Sequence, residues 1–267
     1  MSINPFPDEL AWLWDICAMF IALVILLLIV KINGRIQKSG KLPVYITRKI
    51  IHILVAPVFV LTWLLFSGTG LSRYIATIVP LLFVLQFTAI GTGLIKDENS
   101  VRSMSRTGDP KELLKGTLFY AIIILIVTLC WFYVPSADGM IAHPGGFVII
   151  GCLAGGDGFA DIFGRRYGVK KFGVAGAEKS IVGSLAMLCG SFIFSMGLIA
   201  IFSLGSASFN LVQLLLPIFV ICVVATCVEI ITPPNFDNLT ISIAVIIVIT
   251  LFTVFSVEWW PFPFWTL

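Results

Sequence analysis

Apolar residues dominate the chain in eight blocks, near 11–30, 50–67, 74–95, 116–134, 146–163, 182–204, 212–231 and 239–257, separated by short polar connections. Each block is close to the ~20 residues that a helix needs to cross the hydrocarbon core of a bilayer. In lipid a helix satisfies all its own backbone hydrogen bonds within one segment, which short apolar blocks in any open-edged form could not do. The pattern predicts an all-α integral membrane protein, a polytopic bundle of about eight transmembrane helices. No polar stretch is long enough to fold separately, so residues 1–267 are read as a single multi-pass membrane domain.

Composition agrees and excludes a soluble globule. The 267 residues are 59% hydrophobic and only 12% charged, with a mean hydropathy of +1.06, whereas about a quarter of a soluble domain is charged. The net charge of +3 is uninformative, but its placement is not. Sixteen of the seventeen Lys and Arg residues lie in three alternate connections, after the first, third and fifth blocks, and Arg73 is the exception. Positively charged connections stay in the cytoplasm, so both termini are expected on the outer side. Trp12, Trp14 and the run Trp259–Trp265 then read as interfacial aromatic anchors there. The start lacks a basic n-region, so the first block is expected to be a retained helix. The six cysteines, none in a Cys-x-x-Cys pair, read as small buried apolar residues. In the outer connections only Asp138 and His143 could react, and His143 is expected to be a solvated turn residue.

Candidate chemistry gathers on the cytoplasmic side, in connections near 31–52, 96–116, 155–184 and 229–240. The central feature is Gly155-Gly-Asp-Gly-Phe-Ala-Asp161, which starts inside an apolar block. On a helix, Asp157 and Asp161 stack on one face at i,i+4. Acids at membrane depth are costly and mark function by default. Glycines such as Gly156 and Gly158 let backbone approach a ligand or another helix closely. Arg165, Arg166 and Lys179 follow, with Ser180, Gly183 and Ser184 at a helix start of the kind that cradles phosphate. It is not a Walker A sequence.

Other polar groups join from neighbouring connections. Arg48, Lys49 and His52 share one region of a helix entering the membrane, where anchoring would explain the cations but not the histidine. Asp109 is placed as an N-cap with Pro110 at N1 and Glu112 in capping-box position. Asp109, Glu112 and Lys115 are also close enough to the interface to serve a cation–phosphate site. Glu229 stands in apolar surroundings and is expected to face the same polar cavity, whereas Asp237 and Asn238 could equally cap the last helix.

These motifs, in the order Arg48-Lys-x-x-His52, Ser105-Arg-x-Gly-Asp-Pro-x-Glu-Leu-Leu-Lys-Gly116, Gly155-Gly-Asp-Gly-Phe-Ala-Asp161 with Gly164-Arg-Arg-x-Gly168, Lys179-Ser-x-x-Gly-Ser184 and Asp237-Asn-Leu-Thr240, resemble the phytol/farnesol kinase branch of the polyprenol kinase family. Dolichol kinase and CTP-dependent diacylglycerol kinase are more distant relatives. The resemblance implies a membrane phosphotransferase that moves the γ-phosphoryl group of a nucleoside triphosphate, CTP favoured, with Mg²⁺, to an isoprenoid alcohol such as phytol, geranylgeraniol or farnesol. Asp157 and Asp161 would hold the metal, or one of them would accept the alcohol proton, and Lys179 would act with them in catalysis. The alcohol would come from the bilayer lipid. No nucleic acid is expected, and an oligomer is compatible with the sequence. A prokaryotic plasma membrane, with the site facing the cytoplasm, is the expected location. Two rivals stand beside this reading: a CTP:phosphatidate cytidylyltransferase-like enzyme and an ion-coupled secondary transporter.

Overall fold

The computed structural model describes residues 4–105, 107–135, 137, 139–174, 177–204, 209–233 and 235–264. Arg106, Asp138 and Trp265 therefore lie outside the described residues. Eight helical spans have the length and apolarity to cross a membrane, beginning with Asp8–Lys38 and ending with Asp237–Val254. The protein is a multi-pass helical membrane protein. Its principal helices are α1 (Ala11–Lys38), α2 (Val44–Thr62), α3 (Ser72–Gly91), the short interfacial α4 (Glu98–Met104), α5 (Gly116–Trp131), α6 (Gly145–Ile150), α7 (Gly158–Tyr167), α8 (Ile181–Ser203), α9 (Leu211–Ile231) and α10 (Asp237–Val254). A hairpin of two antiparallel strands, β1 (Lys171–Val174) and β2 (Ala177–Ser180), pairs Phe172 with Lys179 and precedes α8. The hydrophobicity pattern holds no sign of this hairpin, because four-residue strands are too short to show a period.

One span sits at the centre. Between α6 and α7, residues Gly151–Asp157 form a π-helical stretch, and an 18-residue apolar stretch of the Gly145–Tyr167 span is 78% buried, against 28–44% for such a stretch in the other seven. The glycines there serve helix contact. A Cβ on Gly155 would lie 2.6 Å from the Gly190 carbonyl oxygen, and one on Gly190 would lie 2.4 Å from the Gly155 oxygen. Only residues without side chains let α8 approach the π-helical turn so closely. Wide π turns occur mostly at functional sites. Here the Asp157 carbonyl of that turn accepts from Lys49 Nζ, and the Leu153 carbonyl lies 3.1 Å from His52 Nε2, both side chains coming from α2.

The end of the bundle remote from the basic connections is an aromatic plug. Trp63 is fully buried and meets Phe132 at 5.1 Å and Phe59 at 6.3 Å between centroids. His143 is also fully buried, which corrects its reading as a solvated turn residue. Its Nδ1 accepts from the Gly145 N–H, and its Nε2 lies 2.5 Å from the Pro263 carbonyl oxygen among Trp131, Trp260 and Phe262. Burial pushes this imidazole down to about 4. Trp260 is core and not an interfacial anchor, whereas Trp12 and Trp259 are exposed. The cysteines are all free, but only Cys152 and Cys222 are buried; Cys17, Cys189 and Cys227 face outward, so the buried reading holds for part of the set. Asp15, hidden within the first apolar block, is fully buried at this end and accepts from Ser67 N, Ser67 Oγ and Ser72 Oγ at 2.6–2.9 Å. This lock between α1 and the α2–α3 connection explains a carboxylate that carries no counter-charge: three donors satisfy it.

Candidate active site

Asp157 ends the π-helical stretch with its side chain almost wholly enclosed. Its Oδ2 accepts from Lys49 Nζ at 2.7 Å and lies 3.0 Å from His52 Nε2. Lys49 and His52 are three residues apart on α2 and so reach the same carboxylate. His52 Nε2 also meets the Leu153 carbonyl at 3.1 Å. A carbonyl can only accept, so Nε2 carries the proton. The imidazole stacks on Tyr120 with centroids 4.2 Å apart, and the Tyr120 hydroxyl donates to the His52 carbonyl at 2.5 Å. Tyr120 escaped sequence reading because it sits inside an apolar run. Its signal was the distance of one helical turn from Gly116 at the polar mouth.

Two cavities meet at this carboxylate. The first is polar and is walled by α7, the hairpin, the start of α8 and the ends of α9 and α10. It brings together Asp161, Arg165, Lys171, Glu178, Lys179, Ser180, Gly183, Ser184 and Glu229. The second is largely apolar and runs between α2 on one side and α3 and α5 on the other, with Phe59, Phe83, Phe87 and Ile124 in its wall and Arg48, His52, Glu112 and Asn238 at its mouth. Lys49, Asp157 and Asp237 line both. Lys49 lies in the field of Asp157, Asp161 and Asp237 together. Across the polar cavity Lys179 bonds Glu229, a buried pair joining the hairpin to α9. Asp161 bonds Arg165 at 2.5 Å, an i,i+4 pair facing the opening.

Some polar groups here are already engaged, and others are buried with nothing to bond. Ser180 Oγ accepts from Gly183 N–H at 3.1 Å and caps α8. Ser184 Oγ is buried without a partner, in the wall of the polar cavity. Asn238 Nδ2 donates to the Gly116 carbonyl at 2.9 Å, which fixes the amide and leaves Oδ1 buried and unpartnered at the mouth of the apolar cavity.

Comparison with curated proteins bears on the same residues. A probable phytol kinase 1 of Glycine max is 37% identical over 202 residues, covering 74% of this chain and 64% of its own length. Phytol kinase 1 of Arabidopsis thaliana is 35% identical over 205 residues, 76% of this chain and 64% of its own. Farnesol kinase of Arabidopsis thaliana is 34% identical over 244 residues, 89% of this chain and 75% of its own. The chain belongs to the phytol and farnesol kinase family. It spans less than two thirds of the length of those two phytol kinases. The family members' names place them in chloroplasts, which does not fit the prokaryotic plasma membrane expected above. No protein-family model and no solved structure matches the chain.

Several residues expected to touch nucleotide also make contacts within the fold. Gly156 and Gly158 face neighbouring helices: a Cβ would fall 2.1 Å from Ser191 Oγ and 2.3 Å from Ile53 Cγ1 respectively. Asp109 caps the turn Pro110–Leu114 by accepting from Lys111 N–H at 2.9 Å and lines neither cavity. Glu112 does not close a capping box; its carboxylate accepts from Ser105 Oγ at 2.7 Å and Thr107 Oγ1 at 3.0 Å, tying the preceding loop. Lys115 is exposed, and Arg166 turns outward over the Tyr167 ring at 5.4 Å.

Proposed function

We propose that this protein transfers the γ-phosphoryl group of a nucleoside triphosphate, CTP favoured, to an isoprenoid alcohol. The carrying observation is the junction of an apolar and a polar cavity at Lys49, Asp157 and Asp237. A greasy chain lies in the first cavity with its hydroxyl at the mouth, and the polyphosphate lies in the second. The alcohol oxygen attacks the γ-phosphorus, the bridging P–O bond breaks, and the nucleoside diphosphate leaves with the electron pair. The hydroxyl proton passes to a carboxylate shared by both cavities. Lys49, Lys179 and Arg165 offset charge on the transferring group, and such electrostatic stabilisation, together with positioning, accounts for most of the catalysis in phosphoryl transfer. Ser184 Oγ donates to a phosphate oxygen. The names of the relatives, phytol kinase and farnesol kinase, support an alcohol acceptor.

The donor set also fits Mg²⁺. Four cationic side chains in the polar cavity (Lys49, Arg165, Lys171, Lys179) face five carboxylates (Asp157, Asp161, Glu178, Glu229, Asp237). A polyanion entering so acidic a wall needs a divalent partner. No cluster of three His, Cys, Asp or Glu groups able to hold a metal occurs among the described residues, as suits an ion bound by one or two carboxylates plus phosphate oxygens. Asp157 and Asp161 would hold it together with phosphate oxygens, and it would supply charge neutralisation at the phosphates. The site opens on the face of the basic connections, which the positive-inside rule assigns to the cytoplasm.

The test is incubation of purified protein with γ- and α-labelled nucleotides, a panel of prenyl alcohols, and Mg²⁺ or chelator. The γ label is expected in a prenyl monophosphate, with loss on chelation and in Asp157→Asn and Lys179→Met. An α-labelled CDP-lipid would instead establish a cytidylyltransferase, and gradient-driven flux without nucleotide turnover a transporter.

A further inference from the structure

The apolar cavity is pinned at one end and closed at the other. At the mouth stands Asn238, its Nδ2 held by the Gly116 carbonyl and its Oδ1 without a partner among the described residues. At the far end stand Leu26, Phe59, Val79 and Ile124, each buried to 6% exposure or less. One turn deeper the helices are packed solid by Ala22, Trp63, Ala76 and Val127, and Trp63 is held in turn by Phe132. The floor is therefore buried core built around Trp63 and not a passage.

The helices themselves set the depth. Gly116, whose carbonyl holds Asn238, is eight residues from Ile124 on α5, and Lys49 is ten residues from Phe59 on α2. At about 1.5 Å per residue the two walls are roughly 12 and 15 Å long. An extended isoprene unit adds four C–C bonds of about 1.5 Å in zigzag, on the order of 5 Å. Three units fill the cavity from hydroxyl to floor, and a fourth would have to displace packed core.

We infer that this cavity is a length gauge, with Phe59 and Val79 as its stop, and that it suits a C15 prenyl alcohol over a C20 one. The inference rests on the phosphoryl-transfer reading above and adds to it the length of the acceptor. Asn238 is a positioning residue that sets where the measurement starts.

The test compares kcat/KM for C10, C15 and C20 prenyl alcohols, all carrying the same allylic hydroxyl, in wild type and variants. Wild type is expected to favour C15 over C20 by about tenfold or more, the scale on which an apolar pocket discriminates. Phe59→Ala should move that ratio toward C20 by about tenfold. Because Phe59 also packs on Trp63, the milder Val79→Ala is measured beside it and should move the ratio in the same direction. Val79→Phe shortens the gauge and should lower the C15-to-C10 ratio of kcat/KM by about tenfold. Asn238→Ala should raise KM for all lengths alike. A wild type that uses C20 as well as C15, or a ratio unmoved in both enlarging variants, overturns the gauge and leaves phosphoryl transfer standing. A wild type that phosphorylates no alcohol overturns both.

Discussion

Replacing Asp157 by Asn is nearly isosteric but leaves the Lys49 ammonium, 8% exposed, without the carboxylate 2.7 Å away. Removing one partner of a buried ion pair costs about 3–5 kcal/mol, because the remaining charge stays desolvated. Asp161 and Asp237 still act on Lys49, which places Asp157→Asn near the lower end, about 3 kcal/mol. Lys49→Met leaves Asp157 with His52 Nε2 at 3.0 Å as its remaining side-chain partner among the described residues and should cost a similar amount. The double variant strands nothing and should lie within about 1–2 kcal/mol of wild type, giving a coupling of about 3 kcal/mol or more. Reversible denaturant unfolding of all four proteins in one detergent measures the cycle. Prenyl alcohol phosphorylation should be lost in both single variants and in the double, because rescue of stability does not restore the charges at the cavity junction. Costs that add to within about 0.5 kcal/mol would show that the two groups act independently and would refute the paired site.

Two more outcomes follow from particular contacts. Gly156→Ala puts a methyl 2.1 Å from Ser191 Oγ and 2.8 Å from Met187 Sδ, so thermal unfolding should show a loss of about 1–3 kcal/mol, with KM for nucleotide unchanged in the folded fraction. For His143 the folded imidazole titrates near 4 against an ordinary 6.5. The unfolded chain thus takes up the proton first, and this contribution to stability is full above pH 6.5 and declines as pH falls toward 4. At about 1.4 kcal/mol per pH unit the window is worth up to roughly 3 kcal/mol. Melting followed between pH 7 and 4 should show that slope in wild type and not in His143→Gln.

Much of this protein was legible in the chain itself. Eight apolar blocks of bilayer length leave the backbone no option but helices, so span number and order follow from hydrophobicity alone. Asp157 and Glu229 stood out because charge is rare at such depth, and Lys179 because it precedes a helix start of the kind that cradles phosphate. What the order of residues does not contain is which helix faces which. Lys49 and Asp157 are 108 residues apart, and only packing of α2 against the π-helical turn makes them a pair. The same holds for Glu229 and Lys179. Gly156 shows the limit from the other side: a glycine reads identically whether it admits a phosphate or a helix, and the position of Ser191 decided for the helix. His143 looked solvated because a Pro/Gly neighbourhood usually is, and the C-terminal aromatic segment folding over it decided otherwise. Hydrophobicity acts locally along the chain and is readable there. Pairing of charges and closure of cavities depend on contacts between distant segments, and only the folded bundle supplies them.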